Sequence, residues 1–380
     1  MNYAKLLAPH LESLPPYSPI EPFEVLSARL GRSPEQIIKL DANENPYGPA
    51  PAARQALASL RFPHIYPDPE SRALRAALAD FTGLPQANLM AGAGADELID
   101  LILRLFLQPG ERVLSCPPTF GMYAFDTHVN AGQIVEVARQ PDFSLELPNL
   151  LAAVDRFQPK LLFLTSPNNP DGSLLSEGAL DRLLALPLVV VLDEAYVEFA
   201  GQGRLGEDVS RIGRVLERDN LIVLRTFSKW AGLAGLRVGY GAFPDWLMPV
   251  LWKAKQPYNV NVAASQAAIA SLQACELLAE SIRRLREERE RLVRGLQAIE
   301  YLQPYPSQAN FVLCKVKNKP AGQLKAHLAS QYGILVRYFN TPLLQDHIRI
   351  SVGRPAETDA VLQALRDLQD QELSECESPL

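Results

Sequence analysis

A lysine flanked by hydroxyl groups is the part of this sequence with the most chemical content. Lys229 follows Thr226 and Ser228, Arg237 comes eight residues later, and the segment follows an apolar run. The amine can bind the aldehyde of a cofactor covalently, while the hydroxyls and the guanidinium bind a phosphate on the same molecule. Pyridoxal phosphate combines an aldehyde with a phosphate, so the sequence predicts a site for it.

Two carboxylates and a phenol end another apolar segment, at Asp193, Glu194 and Tyr196. An aspartate paired with a pyridine nitrogen keeps that nitrogen protonated near neutral pH, and the pyridinium can then absorb the electrons of a carbanion. We assign this pairing to Asp193, and to Tyr196 a hydrogen bond with the ring oxygen of the cofactor. Taken alone, the motif fits a Mg²⁺-binding pair of strand-end acids equally well.

Three further loops supply groups that the same cofactor needs. Asn169, fixed by Pro170, can present its amide to the ring oxygen. Gly94 and Ala95 begin a predicted helix, and free amide hydrogens there would bind the phosphate. Phe120 follows a two-proline bend and can stack on the pyridine ring, although a lone aromatic side chain is more often part of a core.

Three other side chains suit a substrate or a second subunit. Tyr66 lies in a rigid, proline-flanked turn from which it could reach a cofactor phosphate, including that of a neighbouring subunit. Arg337 and Arg349 lie on predicted strands, and two fixed guanidinium groups are suited to a carboxylate or phosphate of the substrate.

The elements that position these groups alternate between short apolar segments and helical ones. The predicted strands are Arg112–Ser115, Gln133–Val137, Leu161–Thr165, Val189–Leu192 and Leu221–Leu224. This alternation predicts an α/β fold with a mostly parallel sheet covered by helices on both faces. Ligands collect at the carboxyl ends of such strands, where the motifs lie.

A second, smaller α+β domain is predicted after this region. Its pattern consists of a long helix over Ala263–Leu296 and strands over Gln308–Val316, Ile334–Arg337 and His347–Gly353. The expected division is an N-terminal arm and part of the small domain in 1–45, a large cofactor-binding domain in 46–262, a small domain in 263–368 and a flexible tail in 369–380. Four prolines in 14–22 predict an extended arm.

Composition excludes several classes of function. The 380 residues carry a net charge of −6, which provides no basic field for nucleic acid. The four cysteines and five histidines show no metal-ligand or disulfide spacing, so we predict no metal. The longest apolar run, Leu183–Leu192, is half a membrane span and contains Pro187, and no apolar signal segment is seen at the N-terminus. A cytosolic protein without membrane contact is expected.

In this order and spacing, the motifs resemble those of the fold-type I, class II aminotransferases, and specifically the histidinol-phosphate aminotransferase branch. The resemblance covers nearly the whole chain. The phrases that carry it are Asp41-Ala42-Asn43-Glu44-Asn45-Pro46, Tyr66-Pro67, Gly94-Ala95-Asp96-Glu97, Pro117-Pro118-Thr119-Phe120-Gly121-Met122-Tyr123, Ser166-Pro167-Asn168-Asn169-Pro170, Asp193-Glu194-Ala195-Tyr196, Thr226-Phe227-Ser228-Lys229 and Leu236-Arg237.

The resemblance implies a large domain with a mostly parallel seven-stranded sheet, a smaller α+β domain, and a homodimer. It implies that Lys229, Asp193 and Tyr196 are catalytic, with Lys229 bound covalently to pyridoxal phosphate. The implied cofactor contacts are Gly94, Ala95, Asp96, Phe120, Asn169, Asp193, Tyr196, Thr226, Ser228, Lys229, Arg237 and, across the dimer interface, Tyr66. The implied substrate contacts are Tyr17, Asn43, Arg337 and Arg349.

The implied reaction converts L-histidinol phosphate and 2-oxoglutarate to imidazole-acetol phosphate and L-glutamate in histidine biosynthesis. Two other enzymes fit the same scaffold: an aminotransferase for aromatic amino acids and a threonine-phosphate decarboxylase. A cofactor-binding regulator without turnover is disfavoured, because the chain keeps Lys229 and shows no basic helix-turn-helix. Two positions depart from the family pattern: Asp171 stands in place of a threonine, and Phe120 in place of a tyrosine.

Overall fold

The computed structural model of the chain describes residues 3–12, 14 and 21–371. Tyr17 and most of the proline-rich arm lie outside the described residues, as does the tail from residue 372. The predictions made for them are therefore not addressed by the structure.

A seven-stranded sheet forms the centre of the larger layered unit. Its strands are β2 (Leu89–Gly92), β3 (Arg112–Ser115), β4 (Gln133–Glu136), β5 (Leu161–Thr165), β6 (Val189–Asp193), β7 (Leu221–Thr226) and β8 (Gly239–Ala242). Their order is β2-β8-β7-β6-β5-β3-β4, and only β8 runs antiparallel to its neighbours. The central strands are almost wholly buried, because helices cover both faces. The predicted α/β class is confirmed.

A second, five-stranded sheet gathers segments from both ends of the chain. It contains β1 (Ile38–Leu40), β9 (Leu302–Pro304), β10 (Phe311–Val316), β11 (Ile334–Tyr338) and β12 (His347–Ser351), in the order β1-β11-β12-β10-β9. β1 is parallel to β11, whereas the other pairs are antiparallel. The short strand β1 thus leads directly into the loop 41–49.

Helices of the described residues cover these sheets. They are α1 (Phe23–Leu30), α2 (Pro51–Ala58), α3 (Arg72–Thr82), α4 (Ala95–Phe106), α5 (Met122–Val129), α6 (Leu147–Phe157), α7 (Glu177–Leu184), α8 (Met248–Ala254), α9 (Val262–Gln273), α10 (Cys275–Gln297), α11 (Ala321–Tyr332) and α12 (Pro355–Asp367). Apolar side chains of α4 are buried along one face, while its first turn carries Asp96 and Glu97, as suits the positive end of a helix.

The single long helix predicted over Ala263–Leu296 is wrong. The segment forms α9 and α10, which are bent by 80° relative to each other at Ala274. Within the described ranges, no single helix is long and apolar enough to cross a membrane; α9 and α10 reach that length and composition only when taken together.

Candidate active site

A pocket lies at the carboxyl ends of β5, β6 and β7, where the sequence predicted ligand-binding loops. It encloses about 140 Å³. The residues that line it are Ala95, Asp96, Phe120, Thr165, Asn169, Asp193, Ala195, Tyr196, Thr226, Ser228, Lys229, Ala234 and Arg237. Most of the side chains that sequence analysis assigned to the cofactor are therefore brought together.

Lys229 follows β7 and directs its amine into this pocket. Its Nζ donates a hydrogen bond to the carbonyl oxygen of Ala42, at 3.0 Å. Burial lowers the pKa of Lys229 to about 8, and the positive charge of Arg349 acts in the same direction. A substantial fraction of this amine is therefore neutral near physiological pH, as a nucleophile or base requires.

Asp193 ends β6 and is 3% exposed. Its Oδ1 accepts a hydrogen bond from the backbone N–H of Ala195 at 2.9 Å, and its Oδ2 accepts one from the hydroxyl of Tyr123 at 2.7 Å. Burial raises the pKa of Asp193 to about 6, and these two hydrogen bonds oppose the rise. Tyr123 was not predicted as a site residue; the signal for it in the sequence is its position three residues after Phe120.

Tyr196 and Asn43 form a buried pair beside the pocket. The side-chain amide of Asn43 donates to Tyr196 Oη at 3.0 Å, and Ser351 Oγ donates to Asn43 Oδ1 at 3.0 Å. Burial raises the pKa of Tyr196, so the phenol stays protonated and able to donate. Asn43 is 1% exposed, and its hydrogen bond fixes the position of the Tyr196 hydroxyl. The contact of Asn43 with substrate stays a prediction.

Hydroxyls and a guanidinium form the polar end of the pocket. Arg237 Nη2 pairs with Asp96 Oδ2 at 2.7 Å, and its Nη1 lies 3.4 Å from Ser228 Oγ. Thr226 Oγ1 donates to Ser228 Oγ at 2.9 Å. Since Arg237 remains exposed, its guanidinium can still take up a phosphate oxygen.

Gly94 allows the chain to pass close to this guanidinium. Its φ is +84°, and a Cβ there would lie 2.7 Å from Arg237 Nη2. The expectation of a free amide at Gly94 is wrong, because this N–H donates to the carbonyl oxygen of Gly92 at 2.8 Å. The amides that open α4, from Ala95 onward, lack partners inside the helix and are the ones left for an anion.

Two arginines from the five-stranded sheet face each other. Arg337 and Arg349 are directly paired on β11 and β12, so their side chains leave the same face of the sheet. Both guanidinium carbons lie 5.5 Å from the centre of the Phe339 ring. Like charges directly opposite each other are unfavourable without an anion, which fits a site for a phosphate or carboxylate.

Arg349 also links the two sheets. Its Nη1 donates to Asn169 Oδ1 at 2.5 Å, and its Nη2 donates to the carbonyl oxygen of Asp41 at 2.7 Å. The acceptor of Asn169 is thereby occupied, which leaves its NH₂ group as the donor for a ring oxygen.

Of the described residues that were predicted as contacts, those that do not line the pocket are Gly94, Asn43, Tyr66, Arg337 and Arg349. Tyr66 is 80% exposed and stacks on Tyr258, with ring centres 4.8 Å apart; it does not line the pocket. Tyr17 falls outside the described residues.

The departure at Asp171 preserves the turn. Its carboxylate accepts hydrogen bonds from the amide of Asn168 and from the backbone N–H of Ser173. A carboxylate at this position therefore still accepts hydrogen bonds within the turn.

The donor set suits pyridoxal phosphate at each of its functional groups. The amine of Lys229, with its lowered pKa, suits the aldehyde, and the buried carboxylate of Asp193 suits the pyridine nitrogen. The backbone at Gly94, which passes close to the guanidinium of Arg237, suits the phosphate. Phe120 lies beside the space between them and supplies an aromatic face.

Comparison with known proteins agrees with this geometry. The family model described as aminotransferase class I and II matches residues 35–365. The chain is 53% identical over 361 residues to the chloroplastic histidinol-phosphate aminotransferase of Nicotiana plumbaginifolia, covering 95% of this chain and 86% of that protein. It is 50% identical over 370 residues to the histidinol-phosphate aminotransferase of Roseiflexus castenholzii, covering 96% and 98%.

A solved structure shows the same architecture. The histidinol-phosphate aminotransferase from Sinorhizobium meliloti, in complex with pyridoxal 5′-phosphate, superposes with a TM-score of 0.85 at 32% identity, covering 95% of this chain and 97% of that one. This chain has the fold-type I architecture and belongs to the aminotransferase class I and II family and, within it, to the histidinol-phosphate aminotransferases.

Proposed function

We propose that this protein is a pyridoxal-phosphate-dependent aminotransferase that moves the amino group of L-histidinol phosphate to 2-oxoglutarate. The observation that carries the proposal is one pocket that combines the Lys229 amine with the Asp193 carboxylate. Arg349 donates to Asn169, which lines this pocket, and is paired with Arg337 on the neighbouring strand. The names of relatives that are 50–53% identical support this substrate.

The cofactor would be held by the residues that line the pocket. Lys229 would bind its aldehyde, Asp193 its pyridine nitrogen, and Arg237 with Ser228 its phosphate. When bound, pyridoxal phosphate accepts the amino group and stabilises the charge that develops at the substrate α-carbon.

Lys229 would move the proton in this reaction. Its lowered pKa makes the neutral amine available to take a proton from the substrate α-carbon and to return it. Asp193 keeps a proton at the pyridine nitrogen, while Tyr196 and the NH₂ group of Asn169 orient the ring oxygen. Imidazole-acetol phosphate and glutamate are the resulting products.

Arg349 and Arg337 would bind both substrates in turn. A phosphate of histidinol phosphate and a carboxylate of 2-oxoglutarate are both anions that a guanidinium binds through two parallel hydrogen bonds. A single cationic site can therefore serve the two half-reactions without rearrangement of charge.

The proposal is tested by adding histidinol phosphate, phenylalanine and threonine phosphate separately to the holoenzyme. Histidinol phosphate should convert the absorbance of the bound cofactor to that of its amine form, and 2-oxoglutarate should reverse the change and yield glutamate. Lys229→Ala should abolish both changes, whereas Lys253→Ala, at an exposed lysine, should leave them intact.

Other outcomes separate the alternatives. Conversion by phenylalanine alone would identify an aminotransferase for aromatic amino acids. Release of carbon dioxide from threonine phosphate without formation of glutamate would identify a decarboxylase. An active Lys229→Ala protein would overturn the assignment of this lysine.

Assembly, domain division and location also belong to the proposal. The protein would act as a homodimer in which Tyr66 reaches the cofactor phosphate of the partner subunit. Residues 46–262 would form the cofactor-binding domain and 263–368, with part of 1–45, the small domain. We propose the cytosol as its location, although similar plant proteins are named as chloroplastic.

A further inference from the structure

A chain of buried hydroxyls leads away from the carboxylate that faces the pyridine site. Tyr123 is completely buried, and its hydroxyl lies 2.7 Å from Asp193 Oδ2 and 2.8 Å from Thr165 Oγ1. Thr165 Oγ1 in turn lies 3.4 Å from Thr119 Oγ1. The functions proposed above for Asp193 do not require this chain.

The far end of the chain is held in one orientation. Thr119 Oγ1 donates to Asn168 Oδ1 at 3.0 Å. The NH₂ group of Asn168 has two acceptors, the carbonyl oxygen of Pro118 at 3.1 Å and a carboxylate oxygen of Asp171. Because both amide hydrogens are used, Asn168 Oδ1 must face Thr119 as an acceptor.

The hydrogens available along this series of hydroxyl groups show how the direction of its hydrogen bonds depends on the protonation of Asp193. Each hydroxyl has one proton, and that of Thr119 is committed to Asn168. If Asp193 is ionised, Tyr123 donates to it and Thr165 donates to Tyr123. No proton then lies between Thr165 and Thr119, which agrees with their separation of 3.4 Å, the longest in the chain.

An Asp193 that carried its proton on Oδ2 would have the opposite arrangement. Asp193 would donate to Tyr123, Tyr123 to Thr165, and Thr165 to Thr119. Such a chain would draw the two threonine oxygens toward the usual separation of about 2.8 Å. The distances therefore favour the direction that donates toward Asp193.

We propose that Tyr123, held by Thr165, is a positioning residue that keeps Asp193 ionised and aimed at the pyridine nitrogen of the cofactor. A hydroxyl that donates to a carboxylate stabilises the charged form, and it does so more strongly where burial has removed water. The inference rests on the proposed pairing of Asp193 with that nitrogen.

The test compares two ligands of the apoenzyme: pyridoxamine phosphate, which has no aldehyde to react with Lys229, and its analogue with CH in place of the ring nitrogen. Wild-type protein should prefer the first. Tyr123→Phe should weaken binding of pyridoxamine phosphate about tenfold and leave affinity for the analogue unchanged. The pH below which pyridoxamine phosphate affinity falls should move upward in this variant, because the pKa of Asp193 rises.

A matched pair of variants at Thr165, the next hydroxyl after Tyr123 in this series, provides a second measurement. Thr165→Val removes the donor to Tyr123 at nearly constant volume, and it should weaken pyridoxamine phosphate binding by roughly threefold. Thr165→Ser keeps a hydroxyl and should restore wild-type affinity.

Equal losses for both ligands in Tyr123→Phe would show a general structural role and overturn the proposal, as would the absence of any loss. A wild-type protein that bound both ligands equally would instead refute the pairing of Asp193 with the nitrogen, and the role of Tyr123 with it.

Discussion

The positive charge of Arg349 acts on the amine of Lys229 and lowers the pKa of that amine. Arg349 is held between the rings of Phe311 and Phe339, at 5.1 and 5.5 Å. Its position is therefore fixed, and its charge adds to burial in lowering the pKa of Lys229. A residue expected to bind substrate thus also keeps the amine of Lys229 partly neutral.

Removing this charge should raise the pKa of Lys229. The wild-type amine, with a pKa of about 8, is mostly neutral above that pH. In Arg349→Gln we expect the pH at half-maximal rate of pyridoxal phosphate uptake by the apoenzyme to rise by roughly half a unit to one unit. The rate is followed by the absorbance of the bound cofactor.

The control for this prediction is Arg349→Lys, which keeps the positive charge and should leave the midpoint close to that of the wild type. An unchanged midpoint in Arg349→Gln would mean that burial alone sets the pKa of Lys229.

Residues that follow strands in sequence could be predicted as site residues, whereas partners distant along the chain could not. Asp193 and Lys229 are predicted at the site because each follows or ends an apolar segment, and a parallel sheet brings such ends together; both line the pocket. Tyr123 is 70 positions before Asp193 and lies on a helix, so its contact depends on tertiary packing. The donor role of Gly94 failed because a local turn uses its amide.

Among the elements, the loop that follows β7 depends on one close backbone approach. Gly232 has a φ of +67°, and a Cβ there would lie 2.5 Å from the carbonyl carbon of Gly48. The loop 229–237 therefore packs directly against the loop that follows β1. This contact sets the position of Lys229 relative to Ala42.

Substitution of this glycine should destabilise the protein. In Gly232→Ala, the left-handed backbone and the contact with backbone atoms of Gly48 should lower the free energy of unfolding by about 2–4 kcal/mol. Gly235→Ala in the same loop is the matched control, because a Cβ there meets nothing within 4 Å. Urea denaturation of both variants measures the difference; equal stabilities would show that the two loops can separate at little cost.

The elements that sequence analysis missed are those with weak local signals. The strands β3 to β7 were predicted to within two residues, because each is a run of apolar residues bounded by polar loops. β1, β2, β8 and β9 were not predicted. β8 reads Gly-Tyr-Gly-Ala, and glycine disfavours a strand. The break between α9 and α10 at Ala274 contains neither proline nor glycine, so the sequence gives no local signal for it. Strand pairing and tertiary packing, rather than the local preferences of the residues, determine these strands and this helix break.

At the scale of the whole molecule, four large apolar or aromatic side chains are exposed on one surface. Phe62, Ile65, Tyr66 and Tyr258 are 55%, 53%, 80% and 45% exposed. Clusters of this kind mark protein interfaces. Tyr66 does not line the pocket of its own chain, so the proposed contact between Tyr66 and a cofactor would be made in a second copy.

Mixed dimers test whether Tyr66 acts in the site of its partner. Tyr66→Ala should weaken cofactor binding about tenfold, and Lys229→Ala should be inactive. In a dimer of one of each, the chain with an intact Lys229 would receive Tyr66 from its partner. Refolding the two variants together should therefore give more aminotransferase activity at limiting pyridoxal phosphate than the sum of both alone.

The matched control combines Tyr66→Ala with a chain that carries both substitutions. No site in that mixture has both Lys229 and a neighbouring Tyr66, so no increase is expected. An increase in the control would point to refolding itself as the cause, and no increase in the test mixture would mean that Tyr66 does not reach the partner site. Analytical ultracentrifugation of both mixtures should show dimers, because neither substitution removes the whole apolar surface formed by Phe62, Ile65 and Tyr258.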